Sequence, residues 1–135
     1  MTTYRSRELG YFSGRGTSSR RAIYKGCGYD DEDLSKPLIG IVNTANDSGL
    51  GHVHLDRLAN RVRAGILEAG GTPFEFGTIA TCGAVPIGTP YFRYELVIRD
   101  VIASSVEIMM TAELRCPSLG GIAVAPSALA MKRLR

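Results

Sequence analysis

The chain has 135 residues, of which 44% are hydrophobic and 21% charged, and its formal net charge is +3. This composition fits one globular domain or part of one, and it argues against disorder throughout the chain. The net charge is too small to indicate a nucleic-acid partner, and no apolar run approaches the ~20 residues that span a membrane. Three widely spaced cysteines, an odd number, predict reduced thiols in a cytoplasmic protein.

The N-terminal segment is rich in Ser, Gly, Thr and Arg, which predicts a flexible basic arm over residues 1–20. A basic end of this kind is more often a solvated tail than a nucleic-acid arm, and such arms often become ordered by packing on a partner subunit. Residues 20–27 predict a short helix that ends at Gly26 or Gly28. Residues 21–135 are assigned to a partial α/β domain.

A strand, a helix and a second strand follow in the next 45 residues. Residues 38–42 form a short apolar run rich in Ile and Val, which is typical of a strand buried on both faces of a parallel sheet. Residues 54–69 predict an amphipathic helix whose apolar face, at 3,4 spacing, consists of Leu55, Leu58, Ala59, Val62, Ile66 and Ala69. Residues 74–80 predict the next strand. We expect the two strands to be adjacent in a βαβ unit, with the helix packed on one face.

The remaining elements complete an α/β pattern. Residues 94–114 predict a second amphipathic helix, residues 120–124 predict a third strand, and Pro126 suits the first position of a last helix. The predicted fold class is α/β, a short and mainly parallel sheet flanked by helices. Two polar loops leave the carboxyl ends of strands, where open α/β sheets place their ligands.

The loop after the first strand carries the candidate ligand-binding residues Asn43, His52 and His54. Two histidines separated by one residue on a loop suit metal ligation or proton transfer; the alternative is that one histidine hydrogen-bonds the loop itself. Asn43 and its polar neighbours suit a polar ligand and equally suit a turn that satisfies its own hydrogen bonds. Both interpretations stay open at this point.

The second loop contains Cys82, the candidate metal-ligating residue. A thiol reacts or binds metal when a base or a second thiol is near, and the surrounding sequence offers neither, so an unreactive cysteine is the alternative. No Ser-His-Asp order or nucleophile elbow is present, and no residue is assigned a catalytic role.

Seven short motifs agree in order and spacing: Lys36-Pro37, Ile39-Gly-Ile-Val-Asn-Thr44, Gly51-His-Val-His-Leu55, Ala69-Gly-Gly71, Glu75-Phe76, Thr78-Ile-Ala80, and Arg99-Asp-Val-Ile-Ala-Ser-Ser-Val-Glu107. Together they resemble the N-terminal part of the dihydroxy-acid and sugar-acid dehydratases, over about residues 20–110.

The resemblance implies a hydro-lyase that removes water from a 2,3-dihydroxy acid to give a 2-keto acid. It implies an iron–sulfur cluster and a magnesium ion as cofactors, which stabilise the leaving hydroxide and hold the substrate. It also implies an α/β N-terminal domain followed by a β-barrel domain in a homo-oligomer, with a small hydroxy acid as the ligand. Within the family, the loop sequence Gly-His-Val-His slightly favours an amino-acid precursor over a sugar acid as the substrate.

The chain departs from the family at positions that the resemblance assigns to metal ligands. Gly51 stands where some members have a cluster cysteine, Gly83 replaces a metal-binding aspartate, and Thr89 replaces a histidine. Residues 95–100 stand where the family has Ser-Leu-Pro-Ser-Arg-Glu. Residues 122–126 lack the family's Cys-Asp-Lys. The family mechanism therefore implies that this chain alone is inactive.

Three hypotheses follow. The first is the N-terminal portion of a dehydratase-type hydro-lyase, truncated or degenerate at its metal-site motifs. The second is a non-catalytic paralogue that acts as a dimerisation or binding module. The third is a truncated relic. A partial domain leaves apolar faces uncovered, so oligomerisation is expected in each case.

Overall fold

The computed structural model describes residues 18–113 and the backbone of residues 122–124 as three helices and three strands. They are α1 (Ser18–Gly26), β1 (Leu38–Asn43), α2 (Leu55–Glu68), β2 (Thr72–Gly77), α3 (Tyr94–Ala112) and β3 (Ile122–Val124), with 3-10 turns at Asp33–Ser35 and Pro90–Arg93. α1 begins at Ser18, so residues 18–20, the last three of the predicted arm, are helical. The rest of that arm, Cys116 and the helix predicted at Pro126 lie outside the described residues.

β1 is the middle strand of a parallel sheet with the order β2-β1-β3. Its side chains alternate between two core clusters, which explains why almost every position in the run is apolar. Leu38 and Val42 pack with Phe76 and Met110 on the side of α3. Ile41 packs on the other face against α2. The prediction of a strand buried on both faces is therefore confirmed, as is the α/β fold class.

α2 covers its face of the sheet with the apolar stripe that its spacing predicted. Leu55, Ala59 and Ile66 are buried with Ile41. Burial of one Leu or Ile side chain stabilises the fold by about 1.5–3 kcal/mol. The stripe is narrower than predicted, because Leu58 is 46% exposed. Two glycines end the helix.

The helix end has the hydrogen bonds of a Schellman motif. Gly71 N donates to Ile66 O at 2.9 Å, and Gly70 N donates to Leu67 O at 3.0 Å. Gly70 has φ +79°, a left-handed conformation that glycine adopts without steric cost. The chain is thereby turned directly into β2.

β2 begins and ends earlier than the predicted strand over residues 74–80. It pairs with β1 in register from Leu38 opposite Thr72 to Asn43 opposite Gly77. Pro73 lies inside the strand, which is tolerated because β1 is the only strand beside β2 in the described sheet. Beyond Gly77 the pairing stops, because β1 itself ends at Asn43.

α3 and α1 complete the described part of the fold. α3 buries Ile102 and Met110, and Met110 packs against the sheet with Leu38, Val42 and Phe76. Much of the remaining surface of α3 is exposed. The Tyr24 hydroxyl of α1 donates to Glu113 O at 2.9 Å, which joins α1 to the end of α3. In the part of the chain that the structure describes, no helix combines the length and apolarity needed to cross a membrane.

Candidate functional site

The candidate site lies where β1 and β2 end, because two polar loops meet at this edge of the sheet. The first loop covers residues 44–54 and the second covers residues 78–89. A cavity of about 380 Å³ opens at the same edge and is lined mainly by amide and carboxylate side chains: Asn43, Asn46, Asp47, Asp56 and Glu75.

Asn43, a predicted ligand-binding residue, is the last residue of β1 and is buried at 7% exposure. Its amide nitrogen donates to Asp56 Oδ1 and to Glu75 Oε1, both at 2.9 Å. Its amide oxygen accepts from Ala45 N at 2.9 Å. Both amide hydrogens are therefore used inside the protein, and Asn43 holds two carboxylates at the cavity wall.

Glu75 is also bound by Arg63, whose Nη2 donates to Glu75 Oε2 at 2.7 Å. Partial burial by itself would raise the pKa of Glu75. The hydrogen bonds from Asn43 and Arg63 and the charge of Arg63 outweigh this burial, and the pKa lies below its ordinary value. Glu75 therefore lines the cavity as a carboxylate at neutral pH.

We expect Glu75→Gln to lower the free energy of unfolding at neutral pH by about 0.5–1.5 kcal/mol. We also expect the free energy of unfolding of the variant to fall less steeply than that of the unchanged chain as the pH is lowered. Because the pKa of Glu75 is lower in the folded chain than its ordinary value of 4.5, the ionised carboxylate stabilises the fold fully above pH 4.5. This stabilisation is lost as the pH falls through the pKa that Glu75 has in the folded chain. Urea unfolding between about pH 6 and about pH 3 measures this. Glu68→Gln, at an exposed position of α2, is the control, and an equal change in slope for both variants would contradict the prediction.

His52, the second predicted ligand-binding residue, lies inside the protein at 2% exposure. Its Nδ1 is 3.0 Å from Thr44 O in the first loop, and its Nε2 is 3.2 Å from Thr81 O in the second. A neutral ring donates to one of these carbonyl groups, whereas the imidazolium donates to both. His52 therefore hydrogen-bonds the loops, which is the alternative that the sequence left open.

His54 lies at the start of α2, where it makes no side-chain capping hydrogen bond. It is partly exposed and does not share the interior position of His52. The two histidines therefore differ in burial and in contacts, and neither lines the cavity that Asn43 lines. No three His, Cys, Asp or Glu side chains come together as a metal-binding group within the described residues.

Two further contacts join the loops near Cys82, the predicted metal ligand. The amide nitrogen of Asn46 donates to Ala80 O at 3.2 Å and to Thr44 O at 3.1 Å. A Cβ added at Gly49 would lie 2.4 Å from Cys82 Cβ and 2.8 Å from its Sγ. The first loop thus needs glycine at position 49 so that Cys82, a partly buried free thiol, can pack against its backbone.

Sequence reasoning missed Asp56, Arg63 and Glu75 as parts of this edge. Glu75 had one usable signal: it stands between Phe74 and Phe76 in a strand, where a charge pointing to the opposite face needs a partner. No comparable signal identified Asp56 or Arg63, since charged residues at these helix positions are usually solvated.

A short parallel sheet whose carboxyl edge gathers two joined polar loops defines an α/β domain. In open α/β sheets generally, ligands bind at this edge. Residues 36–115 match the family described as dihydroxy-acid/6-phosphogluconate dehydratase N-terminal. The chain belongs to this family, and the resemblance drawn from its motifs is confirmed.

Several curated relatives are dihydroxy-acid dehydratases. The chain is 52% identical to that of Ignicoccus hospitalis over 92 residues, which are 68% of the chain and 17% of the relative. It is 49% identical to that of Acetivibrio thermocellus over 92 residues, also 68% and 17%. With that of Methanothrix thermoacetophila the identity is 42% over 115 residues, which are 85% of the chain and 20% of the relative. The chain thus spans less than a quarter of the length of these relatives.

Proposed function

We propose that this chain is the substrate-facing N-terminal part of a dehydratase-type hydro-lyase, whose intact relatives convert a 2,3-dihydroxy acid to a 2-keto acid. The observation that carries the proposal is the continuous family match over residues 36–115, which includes both loops at the carboxyl edge of the sheet. The contact of His52 with Thr81 supports it, because this contact joins the two loops that would face the same substrate.

The side chains of the cavity favour hydroxyl groups over a carboxylate. Asp47, Asp56 and Glu75 offer oxygen acceptors for hydroxyl donors, and their negative charge opposes a second carboxylate. The hydroxyl-bearing end of a dihydroxy acid therefore suits this cavity, and its carboxylate needs a cation or basic groups elsewhere. In this proposal Asn43 and Arg63 act as positioning residues, because they hold Glu75.

The described residues do not fit an iron–sulfur cluster. Such clusters are held mainly by several cysteine thiolates, and the described residues offer no group of three ligating side chains. Gly51 and Gly83 cannot bind a metal through a side chain. We therefore propose that the chain alone is inactive as a dehydratase.

A hybrid enzyme tests the proposal. Residues 36–115 of this chain replace the matching segment of the Ignicoccus hospitalis dehydratase, and anaerobic formation of 2-keto acid from a 2,3-dihydroxy acid is measured. We expect the hybrid to fold and to lose at least about 100-fold in rate, because groups that hold a metal are absent. We then restore three positions with Gly83→Asp, Thr89→His and Glu95→Ser. The rate of the restored hybrid should rise at least about tenfold above that of the unrestored hybrid.

The matched control carries three substitutions at exposed positions away from the loops, such as Arg57→Lys, Arg61→Lys and Glu68→Asp, and should recover nothing. A folded hybrid that keeps the full rate would contradict the proposed inactivity. A folded hybrid that stays inactive after the three positions are restored would contradict the assignment of these loops to the substrate site.

The second candidate is a non-catalytic module that binds another protein or a second copy of the chain. The observation in its favour is a set of exposed apolar side chains on and before α3, among them Tyr91, Leu96, Val97 and Ile108. Light scattering over a concentration series tests it. This candidate is favoured if the chain is an oligomer and the restored hybrid is inactive, and a monomer at all concentrations contradicts self-association.

A further inference from the structure

α3 carries a second apolar stripe on a side of the helix that the core does not use. Val97, Val101 and Ile108 are exposed, and their spacing of four and seven residues places them on one side of the helix. The core-facing residues of α3, Ile102 and Met110, lie on another side. A row of exposed apolar side chains, unlike single scattered ones, is typical of an interaction surface. We call Val97, Val101 and Ile108 the outer stripe.

Two acidic residues lie beside the outer stripe. Asp100 and Glu107 are exposed and seven residues apart, so they share one side of α3. Each directly precedes a residue of the stripe, which places the acidic row next to the apolar row around the helix. No ion pair within the described residues neutralises either carboxylate. A segment that binds this face is therefore expected to combine apolar and basic side chains.

The first 17 residues of the chain have this composition. They contain three arginines against one glutamate, and they include the apolar side chains of Tyr4, Leu9, Tyr11 and Phe12. Aromatic residues and arginine are the types that are enriched where protein surfaces meet. The charge of this segment is thus opposite to that of the acidic row, and its aromatic side chains suit the outer stripe.

The point at which this segment joins the described fold lies close to α3. The Tyr24 hydroxyl donates to Glu113 O at the end of α3, at 2.9 Å. Ser18, the first residue of α1, is six residues before Tyr24, which is about 9 Å along the helix. α3 has 19 residues and is about 28 Å long, whereas 17 extended residues reach up to about 56 Å. The segment is therefore long enough to cover the outer stripe of its own chain.

We propose that residues 1–17 dock on the outer stripe of the same chain, with their aromatic side chains on the stripe and their arginines beside the two acidic residues. The inference goes beyond the hydro-lyase function, because it concerns α3 and not the loop edge. It also bears on the second candidate function. A docked segment covers apolar side chains that another protein or a second copy would contact, so such a partner must displace it.

The chain contains no tryptophan, so the fluorescence of a Phe12→Trp variant reports on position 12 alone. In the 135-residue chain, its emission should lie at shorter wavelength than in urea, and acrylamide should quench it weakly. Adding Val101→Asp places a charge in the outer stripe and should raise the quenching constant at least about threefold. Leu58→Asp, on α2, is the matched control and should leave quenching unchanged, because Leu58 is 46% exposed and Val101 43%.

A second set of variants keeps the test decisive if Val101→Asp does not fold. Asp100→Lys with Glu107→Lys, added to Phe12→Trp, should raise the quenching constant through charge repulsion, whereas Glu68→Lys on α2 should not. Circular dichroism confirms that each variant is folded. Quenching as strong as in urea, or equal quenching of the folded α3 and α2 variants, would overturn the proposal.

The dependence on protein concentration distinguishes the segment of the same chain from that of a second copy. Docking within one chain is intramolecular, so the quenching constant should stay the same when the protein is diluted. Protection of the tryptophan that disappears on dilution would assign the outer stripe to a second copy of the chain and would overturn the proposal as well.

Discussion

Replacement of His52 by alanine is expected to lower the free energy of unfolding by about 2–4 kcal/mol, a large part of the stability of a small domain. The ring is 2% exposed and contacts a carbonyl group in each loop. Its removal leaves a cavity and takes away the contact that Thr81 O makes with Nε2. Thr44 O keeps the hydrogen bond from the Asn46 side chain at 3.1 Å, so the loss falls mainly on the second loop.

Urea unfolding measures the change, and His54→Ala is the matched control. His54 is partly exposed and makes no capping hydrogen bond, so its replacement should cost less than about 0.5 kcal/mol. A His52→Gln variant, which keeps one polar group of similar reach, should recover part of the stability. Equal costs at positions 52 and 54 would mean that the ring does not join the loops in solution.

The sequence predicted the fold correctly for those elements in which a repeating apolar pattern determines the buried face. The Ile-Val run of β1 and the 3,4 spacing of α2 are properties of neighbouring residues, and the structure placed both elements within one residue of the predictions. The limits of β2 were less accurate, because they depend on where β1 offers a partner. Pro73 lies outside the strand predicted over residues 74–80, yet it pairs with Ile39 of β1.

The candidate site was predictable in position and not in detail. The two loops were identified because parallel strands bring their carboxyl ends to one edge. The spacing of the two histidines does not predict that His52 is buried and His54 is partly exposed. The burial of each ring depends on where α2 begins, which the spacing does not determine. The contact between Glu95 and Gly83 joins residues twelve positions apart across a loop with irregular backbone, and no periodicity describes such a contact.

Replacement of Gly49 by alanine is expected to lower the free energy of unfolding by about 1–3 kcal/mol and to expose the thiol of Cys82. The added Cβ would lie 2.4 Å from Cys82 Cβ, which is closer than real Cβ contacts. Because the obstacle is the first atom of a side chain, a rotamer change does not relieve it, and one loop must shift. Thermal unfolding measures the stability, and the rate of reaction with a thiol reagent measures exposure.

Gly65→Ala is the matched control for Gly49→Ala, because Gly65 lies inside α2 and a Cβ there meets nothing within 4 Å. Alanine at that position should stabilise the chain by about 0.5–1 kcal/mol, since it favours the helix. The double variant Gly49→Ala with Cys82→Gly removes the obstacle and should lose less stability than the two single changes added together. Additive costs, with an unchanged thiol rate in Gly49→Ala, would show that the first loop does not position Cys82. Non-additivity would mean that the loop holding His52 also determines where the second loop presents Cys82 and Gly83.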